Sequence, residues 1–242
     1  MNNNVAVKTP VIPVQGIPTP SIPAYLQTTY WWAYIDPRGV KIFERQWLVN
    51  LILWGNYGRL CDAVFQNHTL QRADRSLQIA CAYGNLTERF EKYLGPDKSL
   101  DVIDILPIQL NNLAYKLSPA SSVKLHCMDS TALMFPDKHF DQALLFFLLH
   151  EQPRDARTKT LAEAVRVIRP GGQLIIVDYA RPYWFNPLRC IMAPVLALLE
   201  PYARELWKED VIAWLPKNTK ITLVHKRRIF GGLYQLLTLK IE

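Results

Sequence analysis

Gln78-Ile79-Ala80-Cys81-Ala82-Tyr83-Gly84 lies where an apolar run meets a tight turn and then a helical stretch, Leu86 to Tyr93. Strand, glycine-rich turn and helix together make a cradle for a nucleotide. Glycines let the backbone approach the ligand, and the helix N-terminus faces it. The usual spelling of such a turn is acid-x-Gly-x-Gly-x-Gly. Here Gln78 replaces the acid, Ala80 and Ala82 replace two glycines, and only Gly84 remains. Gln78 brings no charge, and the alanines bring Cβ atoms where a positive φ is free only to glycine. The turn is therefore expected to hold its ligand in an altered way, or to be a tolerated variant of the same bend. Tyr83 sits in the loop nearest the ligand, as a reacting group or as filler for the space the altered turn leaves.

The other chemistry-bearing side chains fall at the ends of apolar runs. In a parallel sheet the ligand sits at the carboxyl ends of the strands. Asp104 follows Gly84 by 20 residues, the usual offset for a carboxylate that grips ribose hydroxyls. A charge-assisted pair of that kind is worth roughly 1.5–3 kcal/mol; a helix cap is the alternative. Asp129 could accept from an adenine amino group. Ile105, Ser130 and Phe147 flank these ends as further ligand contacts. His150 is a candidate base or metal ligand. His150, Glu151 and Asp178 together offer the imidazole and oxygen donors that a hard divalent ion takes, although their spacing is no recognised metal motif and a structural histidine fits equally well.

The elements that must position these residues alternate. Strands are expected at Leu77–Cys81, Leu100–Asp104, Val123–Met128, Asp141–Leu148 and Gln173–Asp178. The intervening helices include one ended by Gly95-Pro96, one opened by Pro107 and one from Arg157 to Ile168 stopped by Pro170-Gly171-Gly172. Such alternation predicts an α/β fold with a mostly parallel sheet and right-handed crossovers. Thr219–His225 and Leu233–Ile241, around Phe230-Gly231-Gly232, read as a closing antiparallel hairpin. Val40–Trp54 reads as one helix with an apolar stripe at Phe43, Trp47, Leu51 and Trp54, either packed on the core or a lid touching a membrane or an apolar substrate. Pro187–Trp214 reads as a long apolar helical insertion. The resulting organisation is a proline-rich mobile arm at 1–24, an aromatic-rich helical lid at 25–70, and a ligand-binding α/β domain at 71–242 with the insertion at 184–216.

Composition narrows the partners. The 242 residues suffice for one α/β domain with a full core. The net charge of +7 comes without a basic tract interleaved with aromatics, which argues against nucleic acid. Lys226-Arg227-Arg228 is the one tight basic cluster, a solvated strand end or a phosphate patch. The four cysteines form no CxxC, and a reducing compartment is expected. No stretch reaches the about 18 uninterrupted apolar residues of a membrane span, and the first 23 residues read as neither signal nor transit peptide.

The ordered set Gln78–Gly84, Val102-Ile103-Asp104-Ile105, Cys127-Met128-Asp129, Phe135-Pro136-Asp137, Phe140-Asp141 and Arg166-Val167-Ile168-Arg169-Pro170-Gly171-Gly172 resembles the class I S-adenosylmethionine-dependent methyltransferases. The branch it resembles makes the quinone-ring methylations of ubiquinone and menaquinone synthesis. Closer still, Trp47–Asn56, Ala80–Gly84, Leu145–Pro153 and Phe230–Gln235 resemble the rhodoquinone biosynthesis proteins of bacteria and some anaerobic eukaryotes. That resemblance implies a Rossmann-like methyltransferase fold, conversion of ubiquinone to rhodoquinone with an amino group from S-adenosylmethionine, and a requirement for Mn²⁺. It implies a peripheral place on the cytoplasmic face of an inner membrane, or the matrix side of a mitochondrion. Its cofactor contacts would be Gln78, Ala80, Ala82, Gly84, Asp104, Ile105, Asp129, Ser130 and Phe147. An attacking amine must be neutral, and a nearby carboxylate would keep it an ammonium. Gln78, Tyr83 and His150 are then the residues expected to take part in the reaction.

Overall fold

A computed structural model describes residues 20–66 and 70–242. The expected proline arm lies outside the described residues as far as residue 19. Five short helices come first: α1 (Ala24–Thr28), α2 (Trp31–Tyr34), α3 (Pro37–Phe43), α4 (Gln46–Ile52) and α5 (Tyr57–Phe65). The alternating part follows as β1 (Arg75–Ile79), α6 (Leu86–Leu94), β2 (Ser99–Asp104), α7 (Pro107–Lys116), β3 (Lys124–Cys127), β4 (Phe140–Phe146), α8 (Arg154–Val167) and β5 (Ile168–Tyr179). The chain ends in α9 (Leu188–Leu199), α10 (Glu205–Lys208), β6 (Ile221–Ile229) and β7 (Tyr234–Ile241).

The seven strands form one sheet in the order β3-β2-β1-β4-β5-β7-β6. The first five run parallel, and β7 lies antiparallel between β5 and β6. The expected α/β fold with its closing hairpin is thus what forms. Every residue of β4 is buried, as helices on both faces of a parallel sheet require. The order reverses between β1 and β4, so a crevice opens there at the carboxyl ends of the strands. This is where the altered turn and the loop after β4 meet.

Two expected helices are broken. Val40–Trp54 divides into α3 and α4 at Glu44-Arg45, where Arg45 is extended (φ −67°, ψ 111°). The Glu44 carboxylate is drawn away to Lys116 Nζ at 2.7 Å, to the Asn112 amide and to Gly84 N at 3.2 Å. The Pro187–Trp214 insertion likewise ends its first helix at Leu199, and α10 and a 3₁₀ turn at Val211–Trp214 follow separately. Pro201 is the cause: a residue before proline is pushed out of the α region, and Glu200 has φ −134° and ψ 66°. The basic cluster on β6 is a strand-end patch in which Lys226 pairs with Asp210 and Arg228 donates to the carbonyls of Arg181 and Gly232.

Candidate cofactor pocket and its acid–imidazole cluster

The turn after β1 is pinned from two sides. Ala80 takes φ +73°, in the left-handed region, at a cost of about 1–2 kcal/mol for a residue with a Cβ. Its carbonyl points back under the turn and accepts from Gln78 Nε2 at 3.0 Å, while Gln78 Oε1 accepts from Thr87 Oγ1 at 3.0 Å. The next peptide N–H, on Cys81, donates to Asp104 Oδ2 at 2.8 Å. An ionised glutamate at 78 would have no proton with which to hold that carbonyl, so amide and turn geometry belong together. Gly84 has φ +84°, and a Cβ there would stand 2.5 Å from the Tyr57 hydroxyl. That hydroxyl in turn accepts from Asn85 N at the start of α6.

Above the turn lies a cavity of about 810 Å³. It is walled by the turn, by the ends of β2 and β4, by the lid helices and by α9. Ala80, Ala82, Tyr83, Asp104, Ile105 and Asp129 line it, as do Ser130, Phe147, His150 and Glu151. Three expected contacts are corrected. Gln78 is wholly buried beneath the turn with both ends of its amide engaged, so it positions the backbone and does not reach the ligand space. Gly84 lies behind the wall, its N–H on Glu44 and its carbonyl on Lys116 Nζ. Asp178 is buried under the loop after β4. Tyr83 does line the cavity, but its hydroxyl donates to Ala33 O at 2.6 Å and accepts from Gln109 Nε2 at 2.8 Å. Its ring stacks on Tyr34 at 5.6 Å. These contacts make it the fastening of the lid, with no free proton for chemistry. Among the described residues the lining contains Asp104, Asp129, His150, Glu151 and Glu200 and no Lys or Arg.

Asp104 is held by two backbone donors, Cys81 N and Leu106 N. Burial still outweighs them and lifts its carboxyl to about 6. Asp129 caps its own turn by accepting from Thr131 N. Ser130 Oγ pairs with Thr160 Oγ1 and accepts from Gln152 Nε2.

On the wall opposite the turn, His150 sits in a 3₁₀ turn at Leu149–Glu151. Asp178 fixes that turn: Oδ2 accepts from Leu149 N and His150 N, Oδ1 accepts from Tyr179 N, and Oδ1 stands 3.0 Å from His150 Nδ1. The other ring nitrogen, Nε2, faces Glu151 Oε1 at 3.7 Å and Glu200 Oε2 at 4.0 Å. Tyr34 donates its hydroxyl to Glu151 Oε1. The Tyr30 hydroxyl and Glu200 Oε2 are buried in the same corner, with Tyr30 set against the Glu200 carboxylate. Arg157, fully buried, locks the assembly: it donates to Leu149 O, Gln152 O and Tyr202 O, pairs with Glu205 at 2.9 Å, and lies over the Trp214 ring at 4.3 Å. Sequence reasoning missed Glu200, Tyr34 and Tyr30. The one signal was that Glu200 is the first acid after a run, 180–199, that holds none.

With its oxygens committed to backbone donors, Asp178 orients the imidazole and is no ligand. Among the described residues, no group of three or more His, Cys, Asp or Glu could hold a metal ion. The set His150, Glu151 and Asp178 expected for that purpose is therefore a proton-holding cluster in this geometry. Burial raises Glu151 to about 8, with Glu200 adding to it and His150 opposing; it raises Glu200 as well. Burial pushes the His150 imidazole down, but Asp178, Glu200 and Glu151 outweigh it and lift it to about 9.

A pH dependence of stability follows. The native state binds protons that the unfolded chain has already released. The His150 contribution is complete below about 6.5 and is lost as pH rises through about 9. The Glu151 contribution is complete below about 4.5 and is lost as pH rises through about 8, in the same direction. The urea midpoint is expected to fall steadily from pH 6 to pH 9, and Glu151→Gln is expected to flatten that fall. A midpoint that rises over this range would contradict the cluster's electrostatics.

Known proteins agree with this architecture. Residues 77–172 match the family described as a methyltransferase domain. The ubiquinone/menaquinone biosynthesis C-methyltransferase UbiE of Ectopseudomonas mendocina is 30% identical over 146 residues, 58% of this chain and 55% of that protein. The chain thus spans about half the length of this relative. Among solved structures, the mitomycin 7-O-methyltransferase MmcR has a TM-score of 0.66 at 15% identity, over 89% of this chain and 61% of that one. The N-methyltransferase NodS of Bradyrhizobium japonicum, in complex with S-adenosyl-l-homocysteine, has a TM-score of 0.53 at 17% identity, over 76% and 86%. Sheet order, turn and crevice define the Rossmann-like methyltransferase fold. Within it, residues 77–172 are similar to a methyltransferase domain, and the chain is similar to the quinone C-methyltransferases over about half the length of those proteins.

Proposed function

We propose that this chain binds S-adenosylmethionine at the ends of β1, β2 and β3 and transfers the cofactor's amino group to ubiquinone, displacing a ring methoxy group and yielding the hydroquinone form of rhodoquinone. The observation that carries the reading is the first turn. The position that ordinarily presents an acid holds Gln78, whose amide is folded under the turn onto Ala80 O. No carboxylate from this position stabilises an ammonium at the methionine end. The Asp104 carboxylate, which lines the cavity and accepts from Cys81 N of the turn, suits the permanently positive sulfonium.

The cavity's residues supply the proton traffic. The α-ammonium must lose a proton before it attacks; the Glu151–His150–Glu200 cluster, which lines the same cavity as the turn, takes it only as pH rises toward about 8, where Glu151 gives up its own proton. The neutral amine adds to the methoxy-bearing ring carbon; a C–N bond forms, the C–O bond breaks, and methoxide leaves with a proton as methanol. Movement of the N–H and Cα–H hydrogens onto the two quinone oxygens then gives a hydroquinone imine. Water splits this into aminohydroquinone and the 2-oxo acid of the cofactor. The resemblance that implies rhodoquinone also implies manganese. The donors do not converge on a metal position as they stand, so no step is routed through one.

Similarity to UbiE favours a second reading, transfer of the methyl group to a quinone ring. One assay separates the two: incubation of S-adenosylmethionine with ubiquinone and, in parallel, with a quinol that has an open ring position, with and without Mn²⁺, and all products identified by mass. Aminated quinone with the 2-oxo acid is expected. Methylated quinone with S-adenosylhomocysteine would overturn the proposal in favour of the second reading.

A further inference from the structure

Among the described residues, five other than glycine take a positive φ: Trp54, Ala80, Lys138, Phe147 and Phe230. Three of them, Trp54, Ala80 and Phe147, line the cavity. Backbone strain gathered around one pocket points to a use for it there. At Ala80 the strain serves the turn that the Gln78 amide holds. Phe147 has no such account. It sits at φ +55°, a conformation that bulky side chains rarely adopt. Its N–H still donates to Val177 O at 2.8 Å, so the bend comes without loss of that bond.

From Phe140 to His150 every other residue is buried; Phe147 alone stays partly open, and it lines the cavity. Four rings clamp it. Phe146 lies at 5.1 Å, Tyr179 at 5.5 Å, and His150 and Tyr234 at 5.7 Å, all between 70° and 85° to its plane. Among the described residues no ring lies parallel to it. An offset parallel place on an aromatic ring is one that a flat ligand can fill, and the negative face of the ring favours an electron-poor one.

Position decides which flat ligand this is. In the order β3-β2-β1-β4, the end of β4 stands two strands, about 10 Å, from the end of β2 that carries Asp104, and Asp129 after β3 is a strand further away. The adenosyl part of the cofactor belongs with those carboxylates. On the Phe147 side stands the His150 imidazole, with Glu151 and Glu200 facing its far nitrogen. A ligand here needs a flat face and a polar edge. A quinone ring, electron-poor and edged by carbonyl oxygens, has both.

We infer that Phe147 is the platform on which the substrate's quinone ring lies, its carbonyl edge toward His150, and that this residue sets the protein's requirement for a flat ring. The family resemblance would give Phe147 to the cofactor; the geometry gives it to the substrate. The inference rests on the proposed function for the identity of the substrate, but not for which group of the cofactor is transferred.

The test is calorimetry on the full chain with three probes: decyl-tailed ubiquinone, the ring-saturated cyclohexanedione bearing the same groups, and S-adenosylmethionine. Phe147→Leu, which keeps the apolar bulk and removes the aromatic face, should weaken quinone binding about fivefold. It should leave S-adenosylmethionine binding within about twofold of wild type, and Phe147→Tyr should restore the quinone. Wild type should prefer the flat quinone to the puckered dione by about the same factor, a preference that Phe147→Leu loses. The wild-type comparison stands even if the leucine variant fails to fold. Equal binding of quinone and dione by wild type overturns the inference, as does a Phe147→Leu variant that loses S-adenosylmethionine and keeps the quinone. Methyl transfer in place of amino transfer, with the quinone affinity still dependent on Phe147, upholds the platform and removes the proposed reaction. Amino transfer by Phe147→Leu with an unchanged KM for quinone does the reverse.

Discussion

Asp178→Asn is expected to cost the protein roughly 3–5 kcal/mol, the range for breaking a buried, hydrogen-bonded charge pair by changing one partner. Both oxygens of Asp178 are committed: one to Leu149 N and His150 N, the other to Tyr179 N with His150 Nδ1 at 3.0 Å. An asparagine must turn an NH₂ toward one of these sets, setting donor against donor. Urea denaturation measures the loss. A second readout separates positioning from stability alone. Asp178 is the largest contribution holding the His150 imidazole up, so the apparent pKa of any pH–rate profile that reports His150 should move down in the variant. Unchanged stability and an unchanged profile would mean that the loop after β4 is not held as described.

Gln78→Glu should act in the opposite corner of the cavity and with a distinctive pH signature. At low pH the introduced acid keeps a proton and can donate to Ala80 O as the amide does, so little is lost. As pH rises, the buried group must either ionise beside a carbonyl or hold its proton against solvent. A lost donor in a buried site costs roughly 1–3 kcal/mol, and more for a charged group. The variant's urea midpoint should therefore fall behind wild type progressively from pH 5 to pH 8. The turn that Gln78 holds should loosen with it, lowering the yield of aminated quinone. A variant with wild-type stability at pH 8 and an unchanged product would show that the amide at 78 has no bearing on the turn.

The sheet was legible because its signals are local. The buried run Phe140–Phe146 between Pro136 and Pro153, Pro107 at the start of α7, and Gly95 at the end of α6 each declare themselves within a few residues. The helical lid and insertion were less so. The apolar period runs on through Glu44-Arg45 and through Glu200-Pro201. Lys116 and Asn112, seventy residues away in sequence, secure the break at the first, and proline stereochemistry breaks the second. The site was half legible. Strand-end positions put Asp104, Asp129, His150 and Glu151 at the cavity, because topology alone decides what lies at a strand's carboxyl end. Contacts that cross the chain were out of reach: Tyr34 on Glu151, Glu200 facing His150, and the inward direction of the Gln78 amide, which depends on the left-handed Ala80.

The most direct measurement follows the cofactor's atoms. S-adenosylmethionine carrying ¹⁵N in its amino group and ¹³C in its methyl group, incubated with the full chain and ubiquinone, should place ¹⁵N and no ¹³C on the quinone ring. A quinone bearing ¹³C and no ¹⁵N would contradict the account of the altered turn.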